Sequence, residues 1–155
     1  MFTNGNDSGS NTQIWVTDPA TYINDLSIYN ISISGTQLGN SVDFSVEAGA
    51  LILSNEDKDL RLFVSTVMGK VIYPSSLNGL YEHFNAAIDL LTTNTGKPVS
   101  FSSVTNHYQE FAWTIPDYWI TNRLISWKAE NLKVIAWLQD YETKEILQVT
   151  EFNFK

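Results

Sequence analysis

The stretch "SVDFSVEA" alternates without a break. Val42, Phe44 and Val46 stand on one side, and Asp43, Ser45 and Glu47 on the other. Successive side chains of an extended chain point to opposite faces, so the pattern buries one face of a strand and wets the other. That is the signature of an antiparallel strand in a sheet with one solvated face. Upstream, "LSIYNISIS" has the same period through Leu26 and Ile28, then Ile31 and Ile33. Its phase slips at Asn30, which predicts a bulge, a bend or a change of buried face. "GTQLGN" between the two supplies the glycines of a hairpin turn.

The period continues downstream. A long strand is predicted from Leu60 to about Met68, with Gly69 and Lys70 permitting a kink before "VIY". Val99 and Phe101, then His107, Gln109, Phe111 and Trp113, restore the strand pattern until Pro116 ends it. "DYWITNRLISWKAEN" reads as a connection with some helical content. Two last strands, about 131–139 and 145–153, flank "DYETKE", read as a solvated turn with an exposed ion pair from Lys144 to Asp140 or Glu142. In "LNGLYEHFNAAIDLL" the spacing of Leu80, Phe84, Ile88 and Leu91 is helical while the neighbours are strands. Residues 79–91 are therefore left open between a short helix and an extended segment.

About seven or eight short strands without βαβ units predict an all-β fold, a two-sheet antiparallel sandwich of Ig-like or fibronectin-like kind. The first 13 residues are too polar to repay chain entropy. Residues 1–24 are read as a flexible lead-in or linker, with Trp15 and Ile23 as anchors and Pro19 in a turn or in the first turn of a short helix. Residues 25–155 are read as the sandwich domain.

Composition excludes several functions. The chain of 155 residues has no cysteine, which removes disulfide frameworks, zinc ribbons and CxxC redox pairs. A net charge of −8 repels phosphate backbones and anionic lipid heads, so neither nucleic acid nor a membrane surface is an expected partner. No apolar run approaches the roughly 20 residues of a membrane-spanning helix. "MFTNGNDSGSNTQ" has no apolar signal-peptide core, which leaves a cytosolic protein or a mature or excised exported form with an added Met1.

Four constellations are candidates for chemistry. Asn55, Asp57 and Asp59 have the spacing that opens a calcium loop, but its sixth position is Leu60 and its twelfth Thr66. A solvated acidic turn is expected, and no metal. His83 and His107, with Glu82 and Glu110, could ligate a transition metal only if the fold joined them. Nothing in the sequence joins them, and local hydrogen-bonding roles are expected. No serine sits in a GxSxG elbow, the glycines form no phosphate loop, and acids such as Asp43 and Glu47 share a strand face with no sign of a cleft. No catalytic residue and no cofactor is expected. The fourth is the aromatic load, with Trp113, Tyr118, Trp119 and Trp127 within fifteen residues. Aromatic faces beside Asn, Gln and Asp suit sugar stacking. Trp113 and Trp137 fit inward strand positions. Tyr118, Trp119 and Trp127 are the candidate ligand-binding residues, because the connection that carries them is expected to be exposed.

"NLKVIAWLQDYETKEILQV" resembles the closing hairpin of the C-terminal domain of an outer-membrane protein family of Bacteroidetes, named for its twenty-eight-kilodalton member. Relatives there end in "NL-VVAFVQD", a charged turn with "TKE", then "VLQA". "LRLFVSTVMGKVIYP", "NGLYEHFNAAIDLLTTNTGKPVSF" and "FAWTIP" with "WKAENL" are similar to that family's other blocks, in the same order. The match runs roughly from Leu60 to Val149 and more weakly back to Ile31. It departs at Asp89, where the family has a basic residue, and at Glu82-His83, where relatives carry paired histidines. The resemblance implies an Ig-like domain that is exported, periplasmic or at the cell surface, without redox activity. It also implies a thioredoxin-like domain upstream in the parent protein, for which this chain has neither length nor cysteines. The expected function is a non-catalytic binding or accessory module in adhesion or assembly, with a protein or glycan ligand. A carbohydrate-binding module and a hydrolase with an unrecognised site are the alternatives.

Overall fold

The computed structural model describes residues 2–3, 6–7, 27–53, 58–77 and 79–154. Trp15, Pro19, Ile23, Asn55 and Asp57, and with them most of the lead-in, lie outside the described residues. Of the lead-in, β1 (Phe2–Thr3) pairs antiparallel with β2 (Asn6–Asp7).

The domain is an all-β sandwich of two antiparallel sheets. One runs β3 (Tyr29–Leu38), β4 (Ser41–Ala50), β8 (Asn106–Thr114). The other runs β11 (Ile146–Asn153), β10 (Leu132–Asp140), β5 (Leu60–Ile72), β6 (Glu82–Leu90). Two short strands, β7 (Lys97–Pro98) and β9 (Ser126–Trp127), extend the pairing of β5.

Alternation built the sheets as predicted. Val42, Phe44, Val46 and Ala48 on β4 face Leu132, Val134, Ala136 and Leu138 on β10 in one core, all buried. Phe44 stacks on Phe111 at 5.1 Å between centroids and meets Phe154 edge-on at 6.1 Å, so a buried residue just past the last strand plugs the core. The phase slip at Asn30 has a simpler origin than a bulge. Ile28 lies in a bend before the strand, and Tyr29, Ile31 and Ile33 share one face with unbroken register against β4. The β3–β4 turn has Gly39 at φ +61° in its first central position, a backbone that glycine adopts without strain.

β5 departs from alternation, being buried on both faces from Leu62 to Met68. Phe63 on its outer face stacks on Trp137 of β10, 5.0 Å between centroids and 6° from parallel. Trp137 therefore faces away from the inter-sheet core, not inward as its strand position suggested. The turn between β6 and β7 covers this pair. Gly96 lies so close to Phe63 that a Cβ there would sit 2.7 Å from the ring.

Residues 79–91 are extended, not helical. β6 pairs with β5 through a bulge at Ile88, seen as the register shift between Thr66–Asp89 and Val67–Ala87. Asn85 adopts φ +55° beside it. The connection after β8 holds the short helix Asp117–Thr121, β9 and a 3-10 turn Ala129–Asn131. Ile115 N donates to Asn40 O at 2.9 Å and Gln37 Nε2 to Ala129 O at 3.2 Å. These bonds gather the β3–β4 turn and the connection 115–131 at one pole, and β9, paired with Val71 and Ile72, brings the β5–β6 hairpin there.

The opposite pole carries "DYETKE". Asp140 is buried, and its Oδ1 accepts from Glu142 N at 2.9 Å and Thr143 N at 3.2 Å. Lys144, at φ +68°, forms no side-chain pair with Asp140 or Glu142. Its ammonium sits 3.4 Å from the Tyr141 ring centroid and donates to Tyr141 O. Tyr141 N donates to Asp59 O at 2.7 Å, tying the turn to the start of β5.

Two predictions follow from this packing. Thr66 Oγ1 is fully buried with no hydrogen-bond partner. Thr66→Val keeps the shape and removes an unpaired hydroxyl, so it is expected to stabilise by about 1 kcal/mol in urea unfolding. A loss of stability would show that the hydroxyl is bonded. Arg61 holds Asp59 through bonds of 2.5 and 2.8 Å, and chiefly this hydrogen bonding keeps the Asp59 carboxyl below its ordinary value. A carboxyl depressed in the folded state contributes stability that is present above its unfolded pKa of about 4 and lost as pH falls through the folded value. The stability gap between wild type and Arg61→Gln is therefore expected to narrow from neutrality to about pH 3. A gap that stays constant with pH would show that the pair contributes nothing.

Candidate functional site

The two sides of the sandwich are unlike. On one, β3 lies along β11, and Ser27 Oγ donates to Leu147 O at 2.9 Å. On the other, β6 and β8 end their sheets and are bridged by side chains. Trp113 Nε1 of β8 donates to Asp89 Oδ2 of β6 at 3.1 Å, and Tyr118 OH lies 3.4 Å from Ile88 O at the bulge. The bulge turns that carbonyl out of the ladder.

Beside this bridge is an open groove of about 440 Å³. Val71 and Tyr73 from β5 and its extension form part of its lining, with His83, Ala86 and Ala87 from β6. Tyr118, Trp119, Asn122 and Ile125 from the connection complete it. Pro116 O accepts the first bond of the helix from Trp119 N at 2.9 Å, and Thr121 Oγ1 donates back to Asp117 O at 2.8 Å. Asn122 Oδ1 accepts from Leu124 N at 2.9 Å and ends the helix. Trp119 anchors the segment, with its ring in the core and its carbonyl accepting from Trp127 Nε1 at 3.0 Å.

The three aromatic candidates therefore play different parts. Tyr118 is 60% exposed at the groove, Trp119 is 9% exposed and contributes one edge of the wall, and Trp127 is half-buried behind it. The expected exposure of Trp119 is corrected: an amphipathic helix this short holds only by sinking its largest apolar side chain. Trp127 spends its indole N–H on the Trp119 carbonyl. Trp113 is inward and half-buried, as expected.

The histidines do not meet. His83 lines the groove near one pole. His107 opens β8 near the other, its Nε2 2.7 Å from Ser100 O and its ring edge-on to Phe101. Glu82 pairs with Lys70 at 2.6 Å. Among the described residues no group of three or more His, Asp or Glu side chains could hold a metal ion. Of the calcium candidates, the described Asp59 is occupied by Arg61.

A second concavity, about 550 Å³ and open, lies over the solvated face of β3-β4-β8 between Ser34, Asp43, Ser45 and Glu110. Ser34 and Ser45 hydroxyls bond each other at 3.0 Å, and Glu110 is opposite Ser45 and diagonal to Asp43 on the neighbouring strand. It is an open sheet face of mixed character, lined also by Phe44, Phe111 and Ala112. The groove has what a binding surface needs, namely apolar walls, two phenols, an imidazole and an amide. Sequence reasoning found Tyr118 and Trp119 but missed the β6 half of the groove, because a bulge and a positive φ leave no periodic signal.

No protein-family model matches the chain, and no curated protein matches it. The sandwich is similar to the crystal structure of a domain of the outer membrane lipoprotein Omp28 from Porphyromonas gingivalis. The likeness is one of fold. The TM-score is 0.59 at 13% identity, over 84% of this chain and 90% of that one. The resemblance drawn from the four sequence blocks thus holds for the architecture. No helix among the described residues is long and apolar enough to cross a membrane.

The Trp127–Trp119 bond predicts a local role. Trp127→Phe keeps an aromatic ring, gives up part of the indole's packing and leaves the Trp119 carbonyl without its donor. It is expected to cost about 1–2 kcal/mol in urea unfolding and to speed proteolysis within 117–125. Unchanged stability and cleavage would show that the helix is held by packing alone.

Proposed function

We propose that the chain is a non-catalytic, Ig-like module of an exported bacterial surface or outer-membrane-associated protein, with an adhesion, assembly or accessory role. The observation that carries this reading is the fold it shares with a domain of an outer membrane lipoprotein, over nearly the whole of both chains. The groove beside β6 supports a binding role, since the side chains that line it suit contact with a ligand and include no nucleophile paired with a base. The address is tested by fractionating the source organism and following the tagged full-length protein. Recovery with the cell envelope is expected, and recovery in the soluble cytoplasm overturns it. The non-catalytic part fails if the purified chain turns over a substrate in a broad hydrolase panel and one point substitution abolishes that turnover.

A glycan reading of the same groove has one specific support, the exposed ring of Tyr118 beside the edge of Trp119. Tyr118 would stack on the sugar, with Trp119 as wall and Trp127 as its brace. Binding on a glycan array, lost in Tyr118→Ala with the fold intact, is the expected outcome. A blank array removes this reading and leaves a protein ligand.

A further inference from the structure

We propose that the free edge of β8 pairs with an extended segment of another protein, in which basic and apolar residues alternate. The two sheets end in β3 and β8, and in β11 and β6. β3 and β11 lie along each other, and β6 is interrupted by its bulge and by Asn85. β8 keeps one register with β4 from Asn106 to Thr114 and holds no proline, lysine or bulge, the usual defences of an edge. Its hydrogen bonds show which backbone groups are free. Ala50 N donates to Thr105 O at 2.8 Å and Ile115 N to Asn40 O at 2.9 Å, one at each end of the ladder. Bonded and non-bonded pairs alternate in an antiparallel ladder, so the odd-numbered residues between these ends face β4. Tyr108, Glu110 and Ala112 turn N–H and C=O the other way. Among the described residues these groups have one partner. Gln109 Nε2 donates to Glu110 O at 3.3 Å, while the Oε1 of the same amide is buried and unbonded. Donors and acceptors repeating at every second residue are matched by another extended backbone.

The side chains around the edge select the strand it takes. One face of an added strand lies over Phe111, Trp113 and Ile88, which pack against the core and are half-buried on this open side. Apolar residues on that face extend the core. The other face lies beside Glu110, with Asp43 and Glu47 on the adjoining β4. β3, β4 and β8 carry these acids and no lysine or arginine. Asp43 and Glu110 have no ion pair among the described residues. Lysine or arginine on the outer face of the added strand is therefore complementary in charge. A second copy docked through its own β8 brings the same acids to the same face, which disfavours it. The edge is distinct from the groove beside β6, and the proposal does not depend on the function proposed above.

The experiment is amide hydrogen exchange of the full chain by NMR, alone and with a peptide of alternating lysine and valine as long as β8. In the chain alone, the amides of His107, Gln109 and Phe111 are expected to be protected and those of Tyr108, Glu110 and Ala112 to exchange about tenfold faster or more. Protection of both sets overturns the proposal, because the edge is then already covered. The peptide is expected to slow exchange at Tyr108, Glu110 and Ala112. A glutamate–valine peptide, and the lysine–valine peptide with a central proline, are expected to leave it unchanged. Glu110→Lys is expected to weaken the lysine peptide about fivefold or more, from the loss of a cross-strand charge pair. Ala112→Pro removes one outward donor and no bond to β4, a place where an edge strand accepts proline, and is expected to abolish the protection. Thermal unfolding checks that each variant keeps its fold, and Glu110→Lys decides if Ala112→Pro does not. A lysine–valine peptide that protects no β8 amide, or that binds both variants as wild type, overturns the proposal. Binding unaffected by the central proline also overturns it, since charge alone then holds the peptide. Protection of β8 that rises with protein concentration, without peptide, overturns it in favour of a second copy of the chain.

Discussion

Strand β5 has a hydrogen-bonded neighbour on both sides for nearly its whole length. β10 and then β9 run along one side, and β7 and then β6 along the other. Its faces are covered as well, by the core on one side and by the Phe63–Trp137 stack under the Gly96 turn on the other. A strand so enclosed cannot slip by one residue without turning Leu62, Val64 and Met68 out of the core. Its register thereby fixes the β10–β11 hairpin and the position of β6. It also explains why a threonine with an unpaired hydroxyl is tolerated at position 66: the surrounding contacts leave it no other place.

How legible the fold was in the sequence follows from how many faces each strand buries. β4 and β10 bury one face, so their alternation gave their limits and inward residues almost unchanged. β5 buries both, so it read only as an apolar run, and Trp137 was given the wrong face because nothing in the sequence announces a covered outer surface. β6 buries little and carries a bulge and a left-handed residue. Its apolar residues fell at helical intervals by the accident of those two irregularities. Half of the groove was legible for a related reason. Tyr118 and Trp119 stand next to each other in a connection that composition marks, while His83, Ala86 and Ala87 become a wall only through the pairing of β6 with β5.

The irregularities of β6 also have a consequence for association. An edge strand with free backbone groups invites another strand. β6 has Asn85 at positive φ, a bulge at Ile88, and side chains from β8 and the connection on Ile88 and Asp89. These devices discourage strand addition along β6 and leave the groove for contacts made by side chains. The closed side along β3 and β11 and the bridged side along β6 and β8 are therefore different kinds of surface on one small domain.

The net charge of −8 is unevenly spread along the chain. Asp43, Glu47 and Glu110 stand on the solvated face of β3-β4-β8 and Glu142 is exposed in the turn 140–145, while Asp140 is buried beneath that turn with its carboxylate bonded to Glu142 N and Thr143 N. At the hairpin and helix pole Lys70 pairs with Glu82 and Lys128 with Glu130, and the exposed side chains there include Leu77, Tyr118, Ile120 and Leu124. At about 8 Å, the screening length of physiological salt is short against the length of the nine- to thirteen-residue strands that separate the poles. A surface approaching the hairpin and helix pole is influenced little by the acids at the other. The bulk charge is therefore a poor guide to this pole, where Leu77, Tyr81, Phe84, Tyr118, Ile120 and Leu124 are exposed among the described residues.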